Sequence, residues 1–476
     1  MRDSQAAAIA TNRFGLGARP GEIAASSEDP RGWLEVQLKG APPVISDPAL
    51  ESTATMVATI DKVRAQNRLL RAGNPPAAER ANAAGANQAV VDAVVKLGEI
   101  YRPAYVGEVT ARLRLAAATN RPFLERITQF WSNHFAVSVD KAIVLGVAGS
   151  YEREAIRPNV LGSFSNLLLA VERHPAMLLY LDNFRSVGPD SMLAGRTLER
   201  AGKSLGINEN LAREIMELHT LGVNGGYTQA DVTAFAKVIT GWSIGASGRG
   251  LNGGGDPGEF FFRTNIHEPG AQTILGRRYA QGGENQGASV LLDLARNPAT
   301  AQHIATQLSR HFIADDPPPA VVGRLARVFT RTEGDLTQVY RALIAEEAAW
   351  SEPLTKFKTP NDYVISAWRA LDLPIDDARK VPPIFTNLGQ RVWSPNSPAG
   401  WPDRSADWDG ASGLMQRLRW ADQVGQRIGA SVNAVQLAPQ ILGATLGDQT
   451  RVALGRAASA AQAVTLLLAS PEFMRR

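Results

Sequence analysis

Apolar residues return at helical spacing along most of this chain, and the breaks between those stretches are marked by proline, glycine and short polar runs. A short helix is expected first, then a turn at residues 14–17 and a second amphipathic segment carrying Trp33, Leu34 and Leu38. Residues 51–98 hold Ala, Asn, Gln and Arg with few large apolar side chains, the pattern of exposed helices parted by Gly73, Asn74, Pro75 and Pro76. The signal sharpens over residues 108–180. There Asn120 suits a helix cap, Pro122 suits the first helical position, and Phe123, Ile127, Phe130, Trp131 and His134 share one stripe. After Pro158 another helix carries Phe164, Leu167, Leu168 and Val171 until His174-Pro175 interrupts it. The proline pushes His174 toward extended geometry, which favours a structural role there as a cap.

Residues 183–205 lose the period and gain Gly, Ser, Asp and Arg, so a loop is expected. Asn208 resembles an N-cap for the helix that follows, which stops at Gly222; Thr228 and Asp231 form a capping box for the next, which runs to about Thr240. A glycine-rich stretch, residues 245–258, leads into Phe260, Phe261 and Phe262, a short strand or buried turn. Residues 298–312 and 320–340 read as helices flanking Asp315, Asp316 and three prolines. Beyond Trp350, loops rich in Pro, Trp and Gly, notably residues 392–408, precede a Leu-rich helical hairpin. The fold class expected is mainly α: a large multi-helix globular bundle with long Gly/Pro-rich loops and little strand. One large helical domain is expected over residues 1–476, with residues 51–100 as a peripheral helical insert and residues 351–476 as a candidate C-terminal subdomain.

Composition narrows the function. With 44% hydrophobic and 20% charged residues the chain is globular, and a net charge of +4 over 476 residues is too weak a field to imply nucleic acid. The absence of cysteine removes thiolate nucleophiles, disulfides and Cys-ligated zinc, leaving His, Asp, Glu and carbonyl oxygens for any metal. No apolar run approaches the roughly 20 residues of a membrane span, and residues 1–17 lack the apolar core of a signal peptide. The absence of cysteine suits both the cytoplasm and an oxidising periplasm, so it does not decide the compartment.

Polar groups concentrate on residues 208–219. At helical spacing Asn210, Glu214 and Glu217 share a face, whereas His219 falls nearer Ile215 and Met216, which argues against one metal held by Glu214, Glu217 and His219 together. No second histidine completes a His-Glu-x-x-His zinc motif on this helix. A purely structural reading pairs Arg213 with Glu217, leaves Glu214 solvated and sets His219 at the negative helix end. His134 points inward, where a hydrogen bond or a ligand satisfies it. Asp182, beside Tyr180 and Asn183, either stops its helix or meets a substrate. Tyr151, Glu152, Glu154 and Arg157 read as a salt-bridged face, and His267-Glu268-Pro269-Gly270 as a turn whose histidine is solvated or an acid–base or ligand candidate. His303 and His311 lie eight residues apart, too far to share a ligand, and Arg310-His311-Phe312 reads as a packed helix end. No P-loop, Gly-x-Gly-x-x-Gly or Gly-x-Ser-x-Gly signature occurs. The loop with Trp393, Pro395, Pro398, Trp401, Asp403 and Trp408 is suited to plug the core or to stack on a sugar ring.

Several motifs, in order, carry a resemblance: residues 12–17 (NRFGLG), 130–135 (FWSNHF), Arg157-Pro158-Asn159 with Gly162, residues 174–183 (HPAMLLYLDN), and residues 208–222 opening with Asn208-Glu209-Asn210. Thr240-Gly241-Trp242, His267-Glu268-Pro269-Gly270, Asp315-Asp316-Pro317-Pro318 and Lys356-Phe357-Lys358-Thr359-Pro360 continue the series. Together they resemble the large bacterial family catalogued as domain of unknown function 1800 (DUF1800). That resemblance implies company: members often sit beside a sulfatase-like protein with a twin-arginine signal, which implies an extracytoplasmic role in polymer or glycan metabolism. The reading reached is a metal-assisted or acid–base enzyme acting on a saccharide or related polymer. Its catalytic residues would be Asn210, Glu214, Glu217 and Asp182, with a divalent metal on His134, His219 and Glu214. The alternative is a non-catalytic binding or assembly partner of an exported sulfatase-like protein, without nucleic-acid binding or membrane insertion, using residues 183–205 and 245–258 as contact loops.

Overall fold

The computed structural model describes residues 2–72, 96–245, 254–351 and 353–476 of the chain. Helices dominate, and the strands are two antiparallel pairs among the described residues. Trp242–Ile244 pairs with Phe260–Phe262, with Trp242 opposite Phe262. Gln272–Ile274 pairs with Arg277–Tyr279 across a two-residue turn in which Leu275 and Gly276 both have positive φ, the primed geometry that matches strand twist. Among the described residues no helix is long and apolar enough to cross a membrane.

The helix over Pro122–His134 lies in the middle of the molecule. Phe123, Leu124, Ile127 and Trp131 are fully buried, and the indole N–H of Trp131 donates to the Tyr340 hydroxyl at 2.6 Å, which in turn donates to the Val160 carbonyl at 2.9 Å. Around it stand Phe164–Arg173, Pro298–Phe312, Leu336–Ala345 and Pro360–Leu371. Buried apolar side chains form one contiguous cluster from Ala7 to Met474. Buried arginines supply long-range ties: Arg369 donates to the carbonyls of Gly17 at 2.7 Å and Ala116 at 3.0 Å and reaches Glu22 at 2.7 Å, fastening the turn after Phe14 to the Pro360–Leu371 helix.

Several local expectations hold. His174 caps the Pro175–Tyr180 helix, its Nδ1 accepting from the amide of Ala176 at 3.2 Å, and Thr228 and Asp231 make the expected capping box. Pro122 takes the first helical position, but Asn120 is not the cap; its side chain accepts a hydrogen bond from Arg19 instead. Residues 183–205 contain a helix, Met192–Ala201, started by Ser191; only Ala194 on it is buried, so no inward stripe announces it. Residues 320–340 divide into Pro319–Arg331 and Leu336–Ala345, because the chain turns at Glu333 and Gly334, both with positive φ. The terminal hairpin is four helices, with Ala411–Ile428 and Ala460–Ala469 packed together. In the stretch read as exposed, Met56 and Ile60 are buried, while the break at residues 73–76 and residues 246–253 of the glycine-rich stretch lie outside the described residues.

The loop after residue 388 crosses the end of the central helix. Asn133 clamps it, donating to the Trp401 carbonyl at 2.9 Å and accepting from the Trp401 amide at 2.8 Å. Gly400 makes this approach possible, since its φ is +80° and a Cβ there would lie 2.3 Å from the Asn133 carbonyl oxygen. Gly400→Ala should therefore combine backbone strain with a clash and lower the urea midpoint by the equivalent of more than about 1 kcal/mol; an unchanged midpoint would show the clamp to be slack.

Candidate active site

The central helix, the end of Pro298–Phe312, the start of Pro360–Leu371 and the clamped loop enclose a cavity of about 310 Å³. That is the lower end of small-molecule sites. Arg126, Gln129, His134, His311, Asp362 and Asp403 are among its walls.

His311 and Asp403 form its chemical centre. His311 Nδ1 lies 2.8 Å from Asp403 Oδ2. An ionised carboxylate only accepts, so Nδ1 carries the proton and Nε2 keeps its lone pair. Nε2 is buried and has no hydrogen-bond partner among the described residues. Burial pushes His311 down to about 4, with Asp403 opposing, so the ring is neutral at neutral pH. Burial works against the Asp403 charge, yet His311, Arg476 and Lys356 hold that carboxyl well below its ordinary range. Lys356 donates to the Asp403 carbonyl at 2.6 Å and to Asp315 at 2.8 Å, while the second Asp315 oxygen accepts from the Ser405 amide at 2.9 Å.

Opposite charges organise the remaining wall. Arg126 Nε donates to the Gly15 carbonyl and Nη1 to Asp362 at 3.3 Å, leaving Nη2 without a partner. Burial pushes Arg126 down to about 10, still fully charged, and against burial Arg126 and Arg476 hold Asp362 at about 2. The amide orientations follow from a chain of donors. Arg112 can only donate, so it fixes Asn361 Oδ1 as acceptor at 3.1 Å; Asn361 Nδ2 then donates to Gln129 Oε1 at 2.8 Å. Gln129 Nε2 is thereby left as a second buried donor without a partner. Arg112 itself belongs to a buried ionic net with Glu152, Arg157 and Glu125; within the expected salt-bridged face Glu152 and Arg157 do pair, at 3.2 Å and in the interior, while Glu154 is exposed.

Other candidates land elsewhere. The helix from Asn210 widens into a π-type turn over Ile215–Thr220, with Leu221 N bonding Met216 O at 3.0 Å. His219 lies in the last turn of this helix, fully buried with Ile215 and Met216, and contacts Glu172 Oε1 at 2.7 Å. The carbonyls left over there are taken by two other imidazoles: His303 Nε2 reaches Leu218 O at 3.0 Å and His134 Nε2 reaches His219 O at 3.2 Å. His134 and His219 thus come together, with ring centroids 6.3 Å apart, but His134 spends its Nε2 on a carbonyl. Among the described residues no three His, Asp or Glu side chains are placed to hold a metal ion, the set His134, His219 and Glu214 included.

The remaining catalytic expectations do not meet at the cavity. Arg213 pairs with Glu209 at 3.1 Å and not with Glu217, which accepts from the Tyr227 hydroxyl at 3.2 Å. Glu214 is half-buried and held above its ordinary value chiefly by that burial, Asn210 is exposed, and Asp182 pairs with Lys141 at 2.6 Å. None of the four lines the cavity. His267 and Glu268 are buried, with His267 Nδ1 on the Thr240 carbonyl at 2.9 Å and Glu268 against Lys237 at 3.1 Å. His311 is the residue that sequence reasoning passed over. Its signal was indirect: the motifs at residues 130–135, 315–318 and 356–360, together with Trp401 and Asp403, all come to surround it.

The chain matches the family described as protein of unknown function (DUF1800) over residues 9–475, and it belongs to that family. No curated protein and no solved structure matches it.

The neutral histidines give a pH signature. Burial, followed by His303 and His219, holds His134 well below its ordinary value; burial likewise lowers His303. Because the unfolded chain binds these protons more readily, stability should fall as pH drops below about 6.5 and continue falling toward the folded value near 4 for His311. Urea midpoints between pH 7 and 4.5 should show this, and His311→Asn should remove part of the slope; an identical slope in the variant would mean His311 is not held neutral.

Proposed function

We propose that this cavity is the acid–base site of a hydrolase that cleaves an ester on a small anionic saccharide unit. The observation that carries this is the His311–Asp403 pair, with Nδ1 tied to a carboxylate and Nε2 open beside buried donors that also lack partners. His311 Nε2 takes a proton from water as the water oxygen bonds to the ester carbonyl carbon. The carbonyl π pair moves onto oxygen, where Arg126 Nη2 and Gln129 Nε2 are the available donors. Collapse expels the alkoxide, which takes the proton back from His311, while Asp403 stabilises the intervening imidazolium. Trp393 and Trp401 line the wall and give it aromatic surface suited to a sugar, and the cavity guanidiniums favour an anionic one. Asp362 and Asp403 are both ionised and paired, so an acid–base reading through His311 is favoured over the two-carboxylate scheme of glycosidases.

A panel of 4-nitrophenyl esters, sulfates and glycosides, and of acetylated uronic acids, tests this reading. Turnover is expected with the acetylated uronic acids, flat between pH 6 and 8. It should fall by about a hundredfold or more in His311→Asn with Tm retained at pH 7, and likewise in Asp403→Asn, where Tm should also drop because Arg476 and Lys356 lose their buried carboxylate. Turnover that survives both substitutions would overturn it.

A second reading, docking to a sulfatase-like exported partner, is favoured by one observation. The Met192–Ala201 helix leaves Met192 58% and Leu198 56% exposed within the stretch expected to form contacts. Co-purification with a sulfatase-like protein carrying a twin-arginine signal should be lost in Met192→Glu/Leu198→Glu; retention of the complex would dismiss this surface.

A further inference from the structure

A second cleft, of about 710 Å³, lies between the Pro360–Leu371, Val381–Asn387 and Ala411–Ile428 helices and shares no lining residue with the His311 cavity. Two indoles form its base. Trp368 and Trp420 are 7% and 9% exposed and stack with ring centroids 5.9 Å apart and planes 20° from parallel. Trp368 Nε1 is buried and meets no acceptor among the described residues, a donor left over in an otherwise apolar base. Ile384, Leu388 and Val424 extend that apolar surface.

The rim has one sign. Arg379, Lys380, Arg419 and Arg427 line the cleft, and no Asp or Glu does. Two of these cations are already paired, Arg427 with Asp376 and Arg379 with Asp377 at 3.0 Å. Lys380 and Arg419 have no carboxylate within ion-pair distance among the described residues, and both are exposed. The cleft thus combines an aromatic base, an unused indole N–H and two cations with no carboxylate within ion-pair distance among the described residues, Lys380 acting on Asp377 only at longer range. An aliphatic tail would use the apolar surface but not the aromatic character of the two indoles, and a bare inorganic anion would use neither.

We propose that this cleft binds a planar aromatic carboxylate, with its ring against the Trp368–Trp420 pair and its anionic head toward Lys380 and Arg419. The site is separate from the proposed hydrolytic centre, and its test does not depend on any turnover.

The test is calorimetry and tryptophan fluorescence with 2-naphthoate, 2-naphthalenemethanol and decanoate on the full chain. The result expected is saturable one-to-one binding of 2-naphthoate, weakened at least tenfold in Lys380→Glu/Arg419→Glu at unchanged Tm. The neutral alcohol should bind equally to both proteins. Since both substituted residues are exposed, loss of fold is not expected to confound the comparison. Three results would overturn the proposal: no saturable binding of 2-naphthoate, equal affinity in the double variant, or decanoate binding as tightly as 2-naphthoate.

Discussion

The guanidinium of Arg476 is the point on which the cavity depends. Its side chain is fully buried, and it meets Asp403 at 3.1 Å, the His311 carbonyl at 2.6 Å and Asp362 at 2.8 Å, the last within ion-pair distance though without hydrogen-bond alignment. A charge removed from water must be matched where it sits. Matching this one draws together the end of the Pro298–Phe312 helix, the start of Pro360–Leu371 and the loop that carries Asp403. The backbone reinforces that convergence, since Arg476 N bonds Lys356 O and Lys358 N bonds Met474 O, each at 2.8 Å. Through Asp403 the same guanidinium acts on the orientation of His311, and through Asp362 on that of Arg126.

Histidines illustrate how environment decides role. His134 and His303 spend ring nitrogens on the carbonyls at the end of the widened helix, and His219 spends one on Glu172. The two bonds to carbonyls repair a helix end in the interior, where unpaired carbonyls are costly. His311, on the same helix as His303, instead turns one nitrogen to Asp403 and keeps the other open. The difference between a brace and a base here is which neighbours the fold supplies.

Features governed by neighbours in sequence were legible. The Pro122 start, the His174 cap before Pro175 and the Thr228–Asp231 box all follow from interactions spanning a few residues, whereas residues 260–262, read as a short strand or a buried turn, become a strand only by pairing with Trp242–Ile244. Inward placement of His219 beside Ile215 and Met216 also followed from helical periodicity, even though the turn there is wider than an α-helix. The Met192–Ala201 helix escaped because a helix that buries only Ala194 leaves no apolar stripe to read.

What the sequence by itself determined was the helical class, the capped helix starts at Pro122, Pro175 and Gln229, and the motifs that mark the family, because periodicity and capping act over one or two turns. Only the tertiary structure decided the candidate site. Asp403 is 92 residues from His311, Asn361 is 232 from Gln129, and Asp362 is 236 from Arg126. Pairs at such separations leave no mark in local spacing. They come together because buried charges and buried donors must find partners, and only the folded chain states which partners are within reach.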